Sequence, residues 1–259
     1  MGQLLGDYIL NNWLDILFSI LIGFIPALVL VKKNPSSSVQ NNTKIYETIK
    51  HIDITIRQSN EEEKKKSTNF DIYLLLFAVV IASFLFISYY DIILDIYASI
   101  IVVIITATLA IAFKLYNNDQ YDHLNRFWTV ILLIITAFNF CSLSIMAQLD
   151  LANTDLTSFS TIFHSVGMSG FQDYIYRTIG FILALLLNIL GIILLIHIIS
   201  VNNILLHKNI FYNWFVKRTI NYTKPKFLII MVLCFATLSL MLTSGLLIEM
   251  IKDINNYHY

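Results

Sequence analysis

The chain has 259 residues, 57% hydrophobic and 13% charged, with 17 basic and 17 acidic side chains. Soluble domains carry about 25% charged residues, so this composition excludes an ordinary soluble globular domain. Net charge is zero, which gives no pull toward nucleic acid or acidic substrates.

The apolar excess lies in long uninterrupted runs. A hydrocarbon core about 30 Å thick is crossed by roughly 20 apolar residues of helix. Six runs meet that length: Trp13–Val31, Ile72–Tyr89, Leu94–Phe113, Phe127–Gln148, Thr178–Ser200 and Phe227–Ile248. The expected fold is an all-α polytopic membrane protein with six transmembrane helices. Lys and Arg set the direction, because they are retained on the cytoplasmic side. Fifteen of the 17 basic residues fall on alternate connections, and only Arg177 and Lys252 fall on the others. Both termini are therefore expected outside, an N-out/C-out chain. The Ile-, Asn- and Lys-rich composition suits an AT-rich bacterial genome and hence a bacterial plasma (inner) membrane.

Residues 1–31 hold the first transmembrane helix. The N-terminus lacks a positive n-region and a small-residue cleavage site, so no cleaved signal is expected. Trp13, Tyr89, Tyr90 and Trp128 are placed as interfacial anchors. Residues 32–70 form a cytoplasmic linker in which Ile45, Ile49, Ile52 and Ile56 fall on one face of an amphipathic helix. That face suits a coiled coil, a membrane surface or packing on the protein itself. The alternation of Ile52, Ile54 and Ile56 suits a strand instead. Glu61–Glu63 followed by Lys64–Lys66 reads as a solvated charge run.

Residues 71–126 read as a transmembrane hairpin and a cytoplasmic turn, the hairpin closing outside around Asp91 and Asp95. His123 is expected exposed, with no partner at metal-ligand spacing. Residues 127–200 form a helix–loop–helix. Its first helix carries Asn139, Ser142, Ser144 and Gln148, which should face other helices or water. Its outer loop, Leu149–Arg177, carries Asp150, Asp155 and Asp173. Its second helix carries Gly180, Ala184, Asn188 and Gly191 at 4-4-3 spacing, a face that lets another helix approach closely. His197 reads as packing or interfacial. Residues 201–226 form a cytoplasmic amphipathic loop in which Phe211, Tyr212, Trp214 and Phe215 adjoin Lys217 and Arg218, which resembles an interfacial helix anchored by aromatics and attraction to lipid phosphate. Residues 227–259 hold the last transmembrane helix and an outer tail. Cys141 and Cys234 lie in apolar runs and read as small hydrophobes; no disulfide, metal site or other cofactor is expected.

The outer loop has the order a pore loop needs: about two helical turns at Thr157–His164, then Ser165-Val166-Gly167-Met168-Ser169-Gly170, then Phe171–Arg177 and a long apolar helix. Backbone re-entering a membrane must be satisfied by protein or a water-filled cavity, and ion filters exploit this by turning carbonyl oxygens toward a cation. Over roughly Phe127–Ser200 the chain resembles the tetrameric potassium-channel superfamily. Ser165-Val166-Gly167 looks like the start of that family's Thr-Val-Gly-Tyr-Gly-Asp filter. Gly191 is placed like its hinge glycine, and Gly180 like the glycine opening its inner helix. Phe163-His164-Ser165-Val166 and Gly170-Phe171 are similar to filter loops of Trk/Ktr-type potassium uptake proteins. The chain departs from the filter pattern where Met168 and Ser169 separate the glycines and where Asp173 lies three residues beyond Gly170.

The resemblance implies a cation-conducting homo-oligomer, a tetramer at one loop per chain. Ser165–Gly170 would be the constriction, and Asp150, Asp155 and Asp173 would line the outer mouth. The rival expectation is a non-transporting sensor, anchor or effector of a bacterial stress or phage-defence system, acting through 32–70 and 211–226 on a cytoplasmic protein partner. An enzyme is not expected. Ser160, His164 and Asp150 are present, but there is no nucleophile elbow, zinc spacing or phosphate loop. No inverted repeat favours a secondary transporter.

Overall fold

A computed structural model describes residues 13–29, 85–86, 88–148, 159–204 and 210–250; within 159–204 it describes side chains at 167, 170 and 172–203. The described residues are helical, with no strand among them. The helices are α1 (Trp13–Val29), α2 (Tyr90–Asn117), α3 (His123–Met146), α4 (Phe159–Ile204), α5 (Ile210–Thr219) and α6 (Pro225–Thr243).

Four helical segments are long and apolar enough to cross a membrane: Tyr90–Asn117, His123–Met146, Gln172–Asn203 and Pro225–Thr243. This is the architecture of a multi-pass membrane protein. The expected count of six is narrowed to four among the described residues. The first run forms α1, which is apolar but only 17 residues long, about 25 Å at 1.5 Å per residue. The second run, Ile72–Tyr89, lies mostly outside the described residues, as does the whole linker 32–70.

The chain divides into two compact units. The first comprises Met1–Lys64, Ser99–Thr136 and Asn188–Met231. In it, α1 buries Ser19, Gly23 and Ala27 and exposes Phe18, Leu21 and Leu28. A water-soluble helix would hide its large side chains; in lipid, small residues seat the helix and large ones face the acyl chains. The seat is close, since a Cβ on Gly23 would lie 1.7 Å from Thr106 Oγ1 and 3.0 Å from the Val103 carbonyl oxygen. Ile104, Ile111, Leu132, Leu194 and Leu228 are buried in this unit.

The connection from α2 to α3 is short. Asp119 adopts φ 51°, with Gln120 N bonded to Leu115 O at 2.8 Å and Asp119 N to Tyr116 O at 3.0 Å. These are the paired bonds that close a helix C-terminus through a left-handed residue. Asp122 then caps α3, its Oδ1 accepting from Asn125 N at 2.8 Å. Its Oδ2 is buried and has no protein partner. Burial pushes the Asp122 carboxyl above its ordinary range, against the pull of the cap bond from Asn125. His123 is exposed, as the sequence indicates.

The second unit comprises Lys65–Ala98, Ala137–Leu187 and Val232–Tyr259. Its core is aromatic. Phe181 packs on Phe86 at 4.8 Å and on Tyr97 at 4.9 Å between ring centroids. Tyr97 donates to Asn139 Oδ1 at 3.0 Å, and Tyr90 donates to the Met146 carbonyl. Asn139 and Ser142 are buried, as polar groups in lipid should be, while Gln148 is exposed.

Three placements correct the sequence reading. Asp91 and Asp95 do not lie in a turn; both sit within α2, where Asp91 in the first turn complements the positive end of the helix dipole. Trp128 is no exposed interfacial anchor. It is buried, its Nε1 donating to Thr223 O at 3.1 Å, because an indole N–H taken from water needs an acceptor. The helix expected to start at Thr178 begins at residue 168, so helix replaces the expected connection 171–177; a separate helical stretch, 159–166, precedes it across Gly167, close to the short helix expected at Thr157–His164. Cys141 and Cys234 are free and exposed.

Candidate functional site

The α4 run is continuous except at one residue. Gly167 has φ 71° and ψ 176° and separates helical stretches 159–166 and 168–204. That conformation is essentially restricted to glycine. A Cβ placed there would meet nothing within 4 Å, so the glycine is required by its backbone and not by crowding. Breaking a helix frees carbonyls at the end of the first stretch and N–H groups at the start of the second. The freed carbonyl end carries partial negative charge.

Ser165, Val166, Gly167, Met168, Ser169 and Gly170 all fall in this run, and only Gly167 leaves helical geometry. The side chains of Ser165, Val166, Met168 and Ser169 lie outside the described residues, as do Asp150 and Asp155 entirely. A several-residue extended ladder of carbonyls is not what 165–170 forms here; the departure is a one-residue break.

Asp173 is one turn into the helix that follows. Its Oδ2 accepts from Arg177 Nε at 3.0 Å, an i,i+4 pair. Arg177 Nη1 also donates to Thr243 O at 3.0 Å, satisfying a carbonyl at the last residue of α6. The guanidinium lies against Gly245, where a Cβ would come within 2.8 Å of Nη2 and where φ is +80°. Asp173 is thus held by a cation on its own helix.

The small-residue face separates into parts. Gly180 is in tight contact with α6, where an added Cβ would lie 2.7 Å from both Leu242 Cβ and Thr243 N. Ser239 Oγ donates to Gly180 O at 2.8 Å across the same contact. Ala184 and Asn188 are buried. Gly191 is not tight: its nearest neighbours, Ile135, Ile104 and Leu132, stand at 3.5 to 3.8 Å.

Sequence reasoning missed a buried polar network in the first unit. Asn125 Nδ2 donates to Gln120 O at 2.7 Å and Asn202 Oδ1 at 3.2 Å. Asn202 Nδ2 returns a bond to Asn125 Oδ1 at 3.0 Å and donates to Ile198 O at 2.7 Å. His197, fully buried, stands 2.7 Å by Nδ1 from Thr219 Oγ1 and 3.1 Å by Nε2 from Thr223 Oγ1. Thr219 spends its own proton on Phe215 O at 2.9 Å. Thr223 Oγ1 likewise reaches Thr219 O and Ile220 O at 3.3 Å, so each ring nitrogen meets a hydroxyl that is itself anchored to helix backbone. Trp128 meets the ring edge-on at 5.0 Å. His197 is a packing histidine that ties α4 to the end of α5 and to the connection that follows it.

The reciprocal amide pair carries a stability prediction. Asn202→Leu leaves Asn125 buried with an unmet donor and acceptor, at about 1–3 kcal/mol. The double variant Asn125→Leu/Asn202→Leu should cost less than the two single changes together, since it leaves no stranded amide. Thermal midpoints of the four detergent-solubilised proteins check this.

Among the described residues no three of His, Cys, Asp and Glu come together to hold a metal. No family model, curated protein or solved structure matches the chain. The resemblance to potassium channels rests on Ser165-Val166-Gly167 and its neighbours, with Gly180 and Gly191.

Proposed function

We propose that this protein conducts cations as a homo-oligomer, through a path that passes the break at Gly167. The carrying observation is that glycine-only break, φ 71° and ψ 176°, with open space beside it and a 32-residue apolar span, Gln172–Asn203, following it. A backbone interruption at membrane depth is tolerated where protein or water satisfies it. Interrupted helices that line cavities present carbonyl ends to cations. In this reading the chain crosses a bacterial plasma membrane six times with both termini outside. Asp150, Asp155 and Asp173 stand at the outer mouth, and four copies close the path. No catalytic role is assigned.

Cation flux into proteoliposomes tests the reading. Gly167→Val should abolish wild-type flux, because a β-branched residue resists positive φ, while the size-exclusion profile stays unchanged. Equal flux from both proteins sinks the proposal.

A second reading is favoured by the narrowness of the break. Beyond the last carbonyls before Gly167, which the break frees, those of 168–170 are engaged in i,i+4 bonds and are not free to line a filter. On that reading the protein is a non-transporting membrane sensor or effector that works through a cytoplasmic partner at 32–70. Replacing 32–70 by an unrelated linker of equal length would then remove function, and Gly167→Val would not.

A further inference from the structure

We infer that α5 is a docking element for anionic phospholipid headgroups, with Trp214, Lys217 and Arg218 as its contact residues. Headgroup docking by α5 does not depend on conduction.

α5 is tied to the bilayer surface by its connections. Only residues 204–209 separate the span Gln172–Asn203 from Ile210, and only 220–224 separate Thr219 from the span beginning at Pro225. Five or six residues reach at most about 20 Å when extended, so α5 stays near the span ends, and the 2.7 Å contact of Thr219 with His197 on the span Gln172–Asn203 holds it there.

Its two faces differ in kind. Val216 and Thr219 are buried, and the Thr219 hydroxyl is fixed by His197 Nδ1. The opposite face bears Ile210, 85% exposed, Phe211 and Trp214, 54% exposed, followed by exposed Lys217 and Arg218. At 100° per residue these five fall within an arc of about 120°. Aliphatic and aromatic side chains bared beside basic ones are the pattern of a helix lying at headgroup depth. The aromatic rings sit among glycerol and acyl groups, and the cations reach phosphate.

Charge identifies the occupant. Between Asp173 and Glu249 the sequence has no acidic residue, yet it carries Arg177, Lys208, Lys217, Arg218, Lys224 and Lys226. Among the described residues no carboxylate pairs with Lys217 or Arg218. Arg218 instead lies over the Trp214 ring at 5.9 Å, which holds the guanidinium while leaving its edge N–H groups for a phosphate diester. A zwitterionic surface would bring its own cation to this patch; an anionic phospholipid brings uncompensated phosphate.

The test is native mass spectrometry of the purified full-length protein, titrated with phosphatidylglycerol or phosphatidylcholine of identical acyl chains. Each basic side chain at an anionic surface strengthens association about fivefold. Lys217→Gln/Arg218→Gln should therefore lose about 25-fold in preference for phosphatidylglycerol, with the oligomer mass unchanged. Arg218→Lys keeps the charge and should retain most of the preference. Three results overturn the inference. One is equal binding of the two lipids by wild type. Another is displacement of phosphatidylglycerol by excess inorganic phosphate, which marks a free-anion pocket. The third is a double variant that changes oligomer mass and leaves lipid preference intact, which makes this face a contact between copies.

Discussion

Alanine at Gly180 lowers the thermal midpoint of the detergent-solubilised protein by about 2–12 °C, while alanine at Gly191 leaves it within about 1 °C. Both glycines lie on the α4 face that sequence spacing marks as small, and their surroundings decide the difference. At Gly180 one of the atoms a Cβ would strike is the backbone nitrogen of Thr243, 2.7 Å away. A backbone atom in a helix cannot rotate aside, so α4 and α6 must separate locally. Separation also stretches the 2.8 Å bond from Ser239 Oγ to Gly180 O. Overpacking of this kind costs about 1–3 kcal/mol, and Gly180→Leu should cost more. At Gly191 a Cβ meets only side-chain methyl groups of Ile135, Ile104 and Leu132, none nearer than 3.5 Å, which is ordinary contact. Equal midpoints for the two alanine variants would mean that the α4–α6 contact at Gly180 is not close. A scanning fluorescence melt of each variant is sufficient.

The helices were legible because the bilayer imposes a length: uninterrupted apolar runs cannot be loops in hydrocarbon. What was harder to read lay at their ends. Residues 171–177 carry Gln172, Asp173 and Arg177 and look like loop, but Asp173 and Arg177 are spaced i,i+4, which is a helix signal in its own right. The Ser19, Gly23, Ala27 stripe on α1 went unread, although small residues four apart are a packing signal. Other features were not readable. The burial of Trp128 depends on Thr223, 95 residues later, and the His197 contacts depend on two hydroxyls that a one-dimensional pattern cannot bring to one place. At the candidate site, glycine at position 167 signalled a departure from helix. That the departure is confined to one residue is a matter of φ and ψ, which the string Ser-Val-Gly-Met-Ser-Gly does not determine.

Arg177→Leu should destabilise the protein by about 2 kcal/mol, and combining it with Gly245→Ala should cost less than the two changes separately. The guanidinium makes two bonds of 3.0 Å, to Asp173 and to the Thr243 carbonyl. Hydrogen bonds to charged groups contribute about 1.5–3 kcal/mol each when buried. The side chains here are 19% and 35% exposed, so water recovers part of the ion-pair loss, and a total near the lower end follows. Arg177→Lys should fall between, since a single ammonium cannot span both acceptors as a planar fork does. Gly245→Ala acts on the same clasp from the other side. Its φ of +80° strains any Cβ, and the nearest atom is Arg177 Nη2 at 2.8 Å. The guanidinium can retreat, but only by giving up its carbonyl bond at Thr243. Once Arg177 is leucine that part of the Gly245→Ala penalty no longer exists, and only the backbone strain remains. A double-mutant cycle on thermal midpoints therefore reads out the clasp directly. A coupling of zero would assign the whole Gly245 cost to its backbone and leave the Arg177–Thr243 bond without a role in holding the end of α6.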